Sequence, residues 1–167
     1  MVNIIFGSSG SLGSSIMEVL SKKYKNRKFL LSSRNKPTNS KKNWVKFNLN
    51  GNFKKFKYKN INCCIFLASP KYIKKNMSLN IFNKEFLWIK KMIKDLKIEK
   101  LIYISSPTVY IKNHYVGANK IKIENFLLKN KKKFKTLQIW RPYNLVNTKQ
   151  KSYTDHFHCL LYKIMFF

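Results

Sequence analysis

Short apolar runs alternate with stretches whose apolar residues recur every three or four positions, and that alternation sets the plan of the chain. Val2 to Phe6 is apolar and partly β-branched and predicts a buried strand. Ser14 to Leu20 reads as a helix, Lys28 to Ser33 as a second strand, and Trp44 to Phe47 as a short third. Asn35 to Lys42 is a polar loop around Pro37, and Gly51 to Lys59 is a Lys-rich stretch that reads as a short amphipathic helix packing Phe53 and Phe56. Cys63 to Ala68 is wholly apolar, as a central parallel strand should be. From Ser78 to Leu96 the residues Leu79, Phe82, Phe86, Ile89, Ile93 and Leu96 mark one face of a long amphipathic helix with its lysines toward solvent. Leu101 to Ser105 predicts a fifth strand, Val116 to Lys129 a further helix, and Thr136 to Trp140 a sixth strand. Strands alternating with helices imply βαβ units, hence an α/β fold with a doubly wound parallel sheet of about six strands and helices on both faces. No internal repeat and no interdomain linker interrupts the pattern.

The junction after the first strand carries the first chemistry. Gly7, Ser8, Ser9, Gly10, Ser11, Leu12 and Gly13 join that strand to the helix, and three of the chain's 5 glycines fall there. A strand, a glycine-rich turn and a helix N-terminus together aim backbone N–H groups at a phosphate. Gly7 permits the tight turn, Gly10 the close approach of a pyrophosphate, and Gly13 the close packing of helix on strand. The spacing is G-x-x-G-x-x-G rather than the commoner G-x-G-x-x-G, and the competing reading is a loop that merely turns a corner. At the end of the second strand, an acid would hold the ribose 2′-hydroxyl of NAD, whereas an Arg accommodates the 2′-phosphate of NADP. Ser32-Ser33-Arg34 contains no acid, which favours NADP over NAD; the alternative is an ordinary surface Arg.

Composition changes this picture in three ways. At 167 residues and 44% hydrophobic, the chain has material for one domain with a real core. The 35 Lys and Arg against 6 Asp and Glu give a formal charge of +29. Two explanations compete: an electrostatic footprint for nucleic acid, or codon bias toward Lys, Asn, Ile, Phe and Tyr. The lysines are spread along the chain and no nucleic-acid motif is present, so bias is favoured, with non-specific polyanion binding at low salt still expected. The acids Glu18, Glu85, Asp95, Glu99, Glu124 and Asp155 are scattered, most on predicted helix surfaces, against paired-carboxylate chemistry or a carboxylate-bound Mg2+. Cys63, Cys64 and Cys159 give neither zinc nor disulfide spacing, and His156 with His158 lacks a third ligand, so no metal is expected. With no membrane-length apolar run and no signal-peptide pattern at the start, a cytoplasmic protein is the expectation.

Four landmarks in order resemble the extended short-chain dehydrogenase/reductase family, in its NAD(P)-dependent nucleotide-sugar epimerase/dehydratase branch: GSSGSLG, FLAS, YISSPTVY and WRPYN. VGANKIKIENFL is loosely similar to the family's Y-G-x-S-K helix, and the match spans residues 2 to 147. The resemblance implies a Rossmann-type NAD(P)-binding domain over residues 1 to 150, and tyrosinate proton abstraction with hydride transfer on a nucleotide-linked sugar. It implies Ser106, Tyr115 and Lys120 as the catalytic set, Lys120 also holding the cofactor ribose. Asn48, Leu67, Ala68 and Tyr143 would lie beside the cofactor with the glycine loop and Arg34, and Thr108 and Asn144 beside the substrate.

Two departures accompany it. The family's tyrosine precedes its lysine by four residues, which stacks them on one helix face. Here Tyr115 stands five before Lys120, an offset of about 140° on a regular helix that a one-residue π-bulge would remove. The chain also ends near where the family's substrate domain begins. Residues 151 to 167 read as an apolar C-terminal helix, remnant of that missing domain, and Leu160, Leu161, Ile164 and Phe167 would need cover from a second copy or a partner subunit. The rival readings are a catalytically inactive cofactor-binding structural or regulatory subunit, and a basic nucleic-acid-associated protein.

Overall fold

The run Ile4-Ile5-Phe6 sends successive side chains to opposite sides of a strand, and all three are fully buried. A strand with no wet face needs cover on both sides. In the computed structural model, which describes residues 1–23, 29–35, 43–50, 52–70, 79–112 and 114–142, it has that cover. The chain forms β1 (Val2–Phe6), α1 (Ser11–Lys23), β2 (Phe29–Ser33), β3 (Trp44–Lys46), β4 (Asn60–Phe66), α2 (Leu79–Asp95), β5 (Lys97–Ile104), α3 (Tyr115–Lys129) and β6 (Thr136–Trp140). Short 3₁₀ turns occupy Phe53–Lys55, Pro107–Tyr110 and Lys131–Lys133.

The six strands are hydrogen-bonded in the order β3-β2-β1-β4-β5-β6, and every pairing is parallel. This is the doubly wound α/β arrangement, with the switch in winding direction between β1 and β4. On one face Ile4, Phe6, Cys64, Phe66, Leu101 and Tyr103 pack against Ile89, Met92 and Ile93 of α2 and Ile123 and Leu127 of α3. On the other, Ile5, Leu31, Ile65, Ile102 and Ile104 pack with Ile16 and Leu20 of α1.

Phenylalanines fill the corner where the chain returns from β3. Phe6 lies 5.8 Å from Phe53 and 5.7 Å from Phe56, ring centre to ring centre, and Phe47 is 4.9 Å from both of those rings. Tilted and edge-on pairs of this kind each add about 0.5–1.5 kcal/mol to their burial. The amphipathic reading of the 51–59 stretch thus identifies the right side chains, although one 3₁₀ turn suffices to deliver them.

Some strand limits differ from the apolar pattern. β4 begins at Asn60 rather than Cys63, and β5 at Lys97 rather than Leu101. The two strands pair there, Asn60 against Lys97 and Cys63 against Lys100. Parallel pairing is a backbone interaction, so polar residues extend the ladder where their side chains reach water. Cys64 is buried, its thiol pushed well above the usual value by burial and by neighbouring Cys63, and it contacts the Met92 sulfur at 3.9 Å. It behaves as a small apolar side chain.

The helix-surface expectation for the acids fails at two positions. Glu85 on α2 and Glu124 on α3 are buried, at 0% and 4% exposure. Glu85 falls three residues after Phe82 and four before Ile89, inside the apolar stripe, and Glu124 sits between Ile123 and Leu127 on the buried side of α3. Among the described residues, no helix is long and apolar enough to cross a membrane, and no cluster of His, Cys, Asp and Glu fit for a metal ion is present. The strand-like Lys28, the loop at Pro37, Tyr143, Asn144, Cys159 and the 151–167 tail with His156 and His158 lie outside the described residues.

Gly117, at the start of α3, is in close contact with the turn after β5. A Cβ there would stand 2.2 Å from the Thr108 carbonyl oxygen. Gly117→Ala gains about 1 kcal/mol of helix propensity but forces backbone apart at a cost of about 1–3 kcal/mol. We expect a net loss of stability in urea unfolding; a variant more stable than wild type would show that the contact is not tight.

Candidate cofactor and active site

β1 leaves the sheet between two neighbours. The Gly7 amide donates to the Ser32 carbonyl at 2.9 Å, and the Leu67 amide donates to the Phe6 carbonyl at 2.9 Å. Gly7 has φ +85°, and a Cβ on it would lie 2.7 Å from the Ala68 amide nitrogen. Only glycine satisfies both the dihedral and the space. At Gly13 a Cβ would meet the Ser8 carbonyl oxygen at 2.6 Å, so α1 sits directly on the loop. Gly10 is different: it is exposed, and a Cβ on it would meet nothing nearer than the Gly7 carbonyl oxygen at 3.5 Å. Among the described residues nothing requires glycine there, and they leave the space beside its backbone open.

α1 begins at Ser11 with no acid in its first turn. The opening amides of a helix have no acceptor within it, and the dipole adds positive potential at that end. Ser9 is exposed beside Gly10, Leu12 is half-buried against the α1 side of the sheet, and Ser8 is buried. The Ser8 hydroxyl points back to the Ser32 carbonyl at 3.4 Å, while the buried Ser32 hydroxyl has no hydrogen-bond partner among the described residues. Arg34, at the end of β2, and Asn48, after β3, are both exposed on the edge where the loop opens. Leu67 and Ala68 are half-buried at the end of β4, across from Gly7. The described residues expected beside a dinucleotide, Lys120 apart, follow the C-terminal ends of β1, β2, β3 and β4, and Tyr143 lies outside the described residues.

The expected catalytic set is not drawn together in the same way. Ser106 caps the 3₁₀ turn at Pro107–Tyr110, its hydroxyl accepting from the Thr108 amide at 3.2 Å and the Thr108 hydroxyl at 2.9 Å. Tyr115 opens α3 at 50% exposure, its ring stacked on His114 at 5.1 Å. The His114 Nδ1 caps the helix by accepting from the Gly117 amide at 3.3 Å. α3 is a regular α-helix from Tyr115 onward, without the π-bulge that would bring tyrosine and lysine into line. Lys120 is buried, and its ammonium donates to Glu85 Oε1 at 2.6 Å and to the Ile104 carbonyl at 3.4 Å. Its hydrogen bonds therefore run to α2 and β5 rather than to Tyr115.

A second buried carboxylate closes the far side. Glu124 accepts from the Ser105 hydroxyl and from Arg141, whose Nε donates at 3.0 Å and whose terminal nitrogen donates to the other oxygen. Arg141 also donates to the Tyr110 hydroxyl at 2.6 Å and lies over that ring. Burial pushes the Glu124 carboxyl up, but the Arg141 and Ser105 hydrogen bonds and the charges of Arg141 and Lys120 outweigh it and hold it below its ordinary value. Glu124 in turn raises the Arg141 guanidinium. Sequence reasoning singled out neither Glu85 nor Glu124, yet each interrupts an apolar stripe, which was the available signal.

No family model matches the sequence, and no curated protein matches it. Solved structures are similar to it in backbone. MoeE5 in complex with UDP-glucose and NAD superposes with a TM-score of 0.69 at 15% identity, over 84% of this chain and 54% of that one. The ADP-L-glycero-D-manno-heptose-6-epimerase of Helicobacter pylori gives 0.67 at 15% identity, over 92% and 59%. A short chain dehydrogenase from Burkholderia cenocepacia in complex with NADP gives 0.70 at 12% identity, over 92% and 76%. The shared fold is the α/β Rossmann type, with an all-parallel six-stranded sheet. The chain spans little more than half of the first two enzymes, 54% and 59% of their lengths. In the Rossmann-type fold of this chain, the glycine loop, Ser106 and Arg141 all follow the C-terminal ends of strands, the edge where doubly wound sheets bind ligands.

The depressed Glu124 carboxyl has a consequence for stability. Its folded pKa lies below the unfolded value of about 4.3, so its contribution is complete above that value and is lost as pH falls through the folded pKa. Arg141→Met should cost about 1–3 kcal/mol at neutral pH by leaving a buried carboxylate short of donors. The cost should shrink on acidification and vanish once Glu124 is protonated in both states. Urea unfolding of both proteins across the acid range measures this, and a pH-independent difference would contradict it.

Proposed function

We propose that this chain binds a nicotinamide dinucleotide along the C-terminal edge of β1, β2 and β4, and acts there on a nucleotide-linked sugar in the manner of the epimerase/dehydratase enzymes. The observation that carries the binding is Gly10. It lies between two glycines that the fold requires, yet the described residues leave the space beside it open, at the N-terminus of a helix with no acid in its first turn. Backbone approach by a pyrophosphate explains a glycine there.

The amides at the opening of α1, from Ser11 to Gly13, would hold the pyrophosphate, while the Gly10 amide itself donates to the Gly7 carbonyl at 3.2 Å. Arg34, with no acid beside it, supplies the cation for a 2′-phosphate, which favours NADP over NAD. Asn48, Leu67 and Ala68 flank the adenosine and nicotinamide halves. When bound, the nicotinamide supplies a hydride acceptor and donor. Ser106 and Thr108 would offer hydroxyls to a substrate oxygen, and Tyr115 would be the phenol that moves a substrate proton. MoeE5, crystallised with UDP-glucose, and the heptose epimerase of the same fold support a nucleotide-sugar substrate. Within this reading residues 1–150 would form the dinucleotide-binding domain, Tyr143 would serve the cofactor and Asn144 the substrate, and the apolar 151–167 segment would need cover from a second copy or a partner.

A second reading, cofactor binding without turnover, is favoured by one specific observation: the Lys120 ammonium is committed to Glu85 while Tyr115 stands half-exposed against His114. Such a chain would serve as a structural or regulatory subunit.

Fluorescence titration with NADPH and NADH on wild type and Gly10→Glu tests the leading reading. We expect wild type to bind NADPH more tightly than NADH, and the glutamate variant, with a charge where the pyrophosphate belongs, to lose at least about tenfold in affinity. Equal affinity in the two proteins would refute the site. Adding UDP-glucose and following nicotinamide absorbance separates the readings: hydride exchange supports turnover, and binding without exchange of a panel of nucleotide sugars supports the second.

A further inference from the structure

Glu85 is a carboxylate that the proposed chemistry does not use, yet it lies wholly buried beneath that site. It accepts from the Lys120 ammonium at 2.6 Å, from the Tyr103 hydroxyl at 2.8 Å and from the Ser69 hydroxyl at 3.0 Å. The four side chains come from α2, α3, β5 and the segment after β4, so the cluster ties both helices to the middle of the sheet. Lys120 is itself only 5% exposed, and its ammonium lies 5.1 Å from the centre of the Tyr103 ring.

The arrangement is stiff for a simple electrostatic reason. Moving Lys120 toward a ribose diol or a phenol would pull its ammonium out of a buried charge pair with Glu85, which costs more than losing one hydrogen bond at the surface. The hydrogen bonds of the Lys120 ammonium go to Glu85 and to the Ile104 carbonyl, not to Tyr115.

We propose that Glu85 is a positioning residue that withholds Lys120 from the bound dinucleotide, so that the dinucleotide is held by the glycine loop without help from this lysine. The inference rests on the dinucleotide-binding reading above. Glu85 decides whether the lysine serves the sheet or the ligand, and in the wild-type chain it serves the sheet.

Glu85→Gln keeps the shape and the Tyr103 and Ser69 contacts but removes the charge. It should tighten NADPH binding by about tenfold, the scale of one hydrogen bond to a charged group, as Lys120 turns to the cofactor. Adding Lys120→Met to Glu85→Gln should remove that gain, a lysine-dependent affinity change that a purely structural role for Glu85 would not produce. No gain in Glu85→Gln, or a gain that survives Lys120→Met, overturns the proposal. If wild type binds no NADPH, the dinucleotide-binding reading fails, and this inference is then judged on thermal unfolding of Glu85→Leu, Lys120→Met and their combination. The double variant losing less than the sum of the singles supports the buried pair as the holder of Lys120. Strict additivity overturns it.

Discussion

Everything at the functional edge depends on how crowded the end of β1 is. Phe6 is flanked by parallel partners on both sides, paired with Ser32 of β2 and Phe66 of β4. The chain leaving it is held by the Ser32 carbonyl on one side and runs against the Ala68 backbone on the other. Two glycines follow from that crowding alone, Gly7 for its dihedral and Gly13 for the descent of α1 onto the loop. Because the strands on either side all point the same way, their ends deliver Arg34, Leu67, Ala68, Ser105, Ser106 and Arg141 to one rim. Parallel pairing makes the site a property of the sheet rather than of any one loop.

The chemistry beneath that rim is unusual in its charges. A chain with only 6 acids keeps two of them, Glu85 and Glu124, inside. Each has a cation: Lys120 for the first, Arg141 for the second. Breaking such a buried pair by removing one partner typically costs about 3–5 kcal/mol, although an apolar replacement of both can be neutral. The pairs therefore say less about total stability than about position. They fix where α2, α3 and β6 sit relative to the end of β5. The burial of these acids also sharpens the charge imbalance outside, since the lysines on the outer faces of α2 and α3 have few carboxylates to meet. Weak attraction to polyanions at low salt follows from that excess whatever its evolutionary origin.

Much of the architecture was legible in the residue pattern because it rests on local or near-local rules. The apolar runs Val2 to Phe6 and CCIFLA and the three- and four-residue spacing from Leu79 to Leu96 each specify an element, and their alternation specifies parallel order. Boundaries were less legible: Lys97 and Asn60 join the ladder through their backbones, which side-chain pattern does not record. The expectation that most of the acids lie on helix surfaces rests on residue type, and Glu85 departs from it through its place in the apolar stripe.

By itself, then, the sequence determined the element order, the parallel doubly wound sheet and the glycine-rich turn, because apolar periodicity and the steric freedom of glycine act over a few residues. It also carried the five-residue spacing of Tyr115 and Lys120. Only the tertiary structure decided what that spacing means. The partner of Lys120 lies 35 positions away on another helix. Whether a buried cation faces a ligand or a carboxylate depends on distances that close only when α2 and α3 pack on the sheet, and an electrostatic contest of that kind has no local signature.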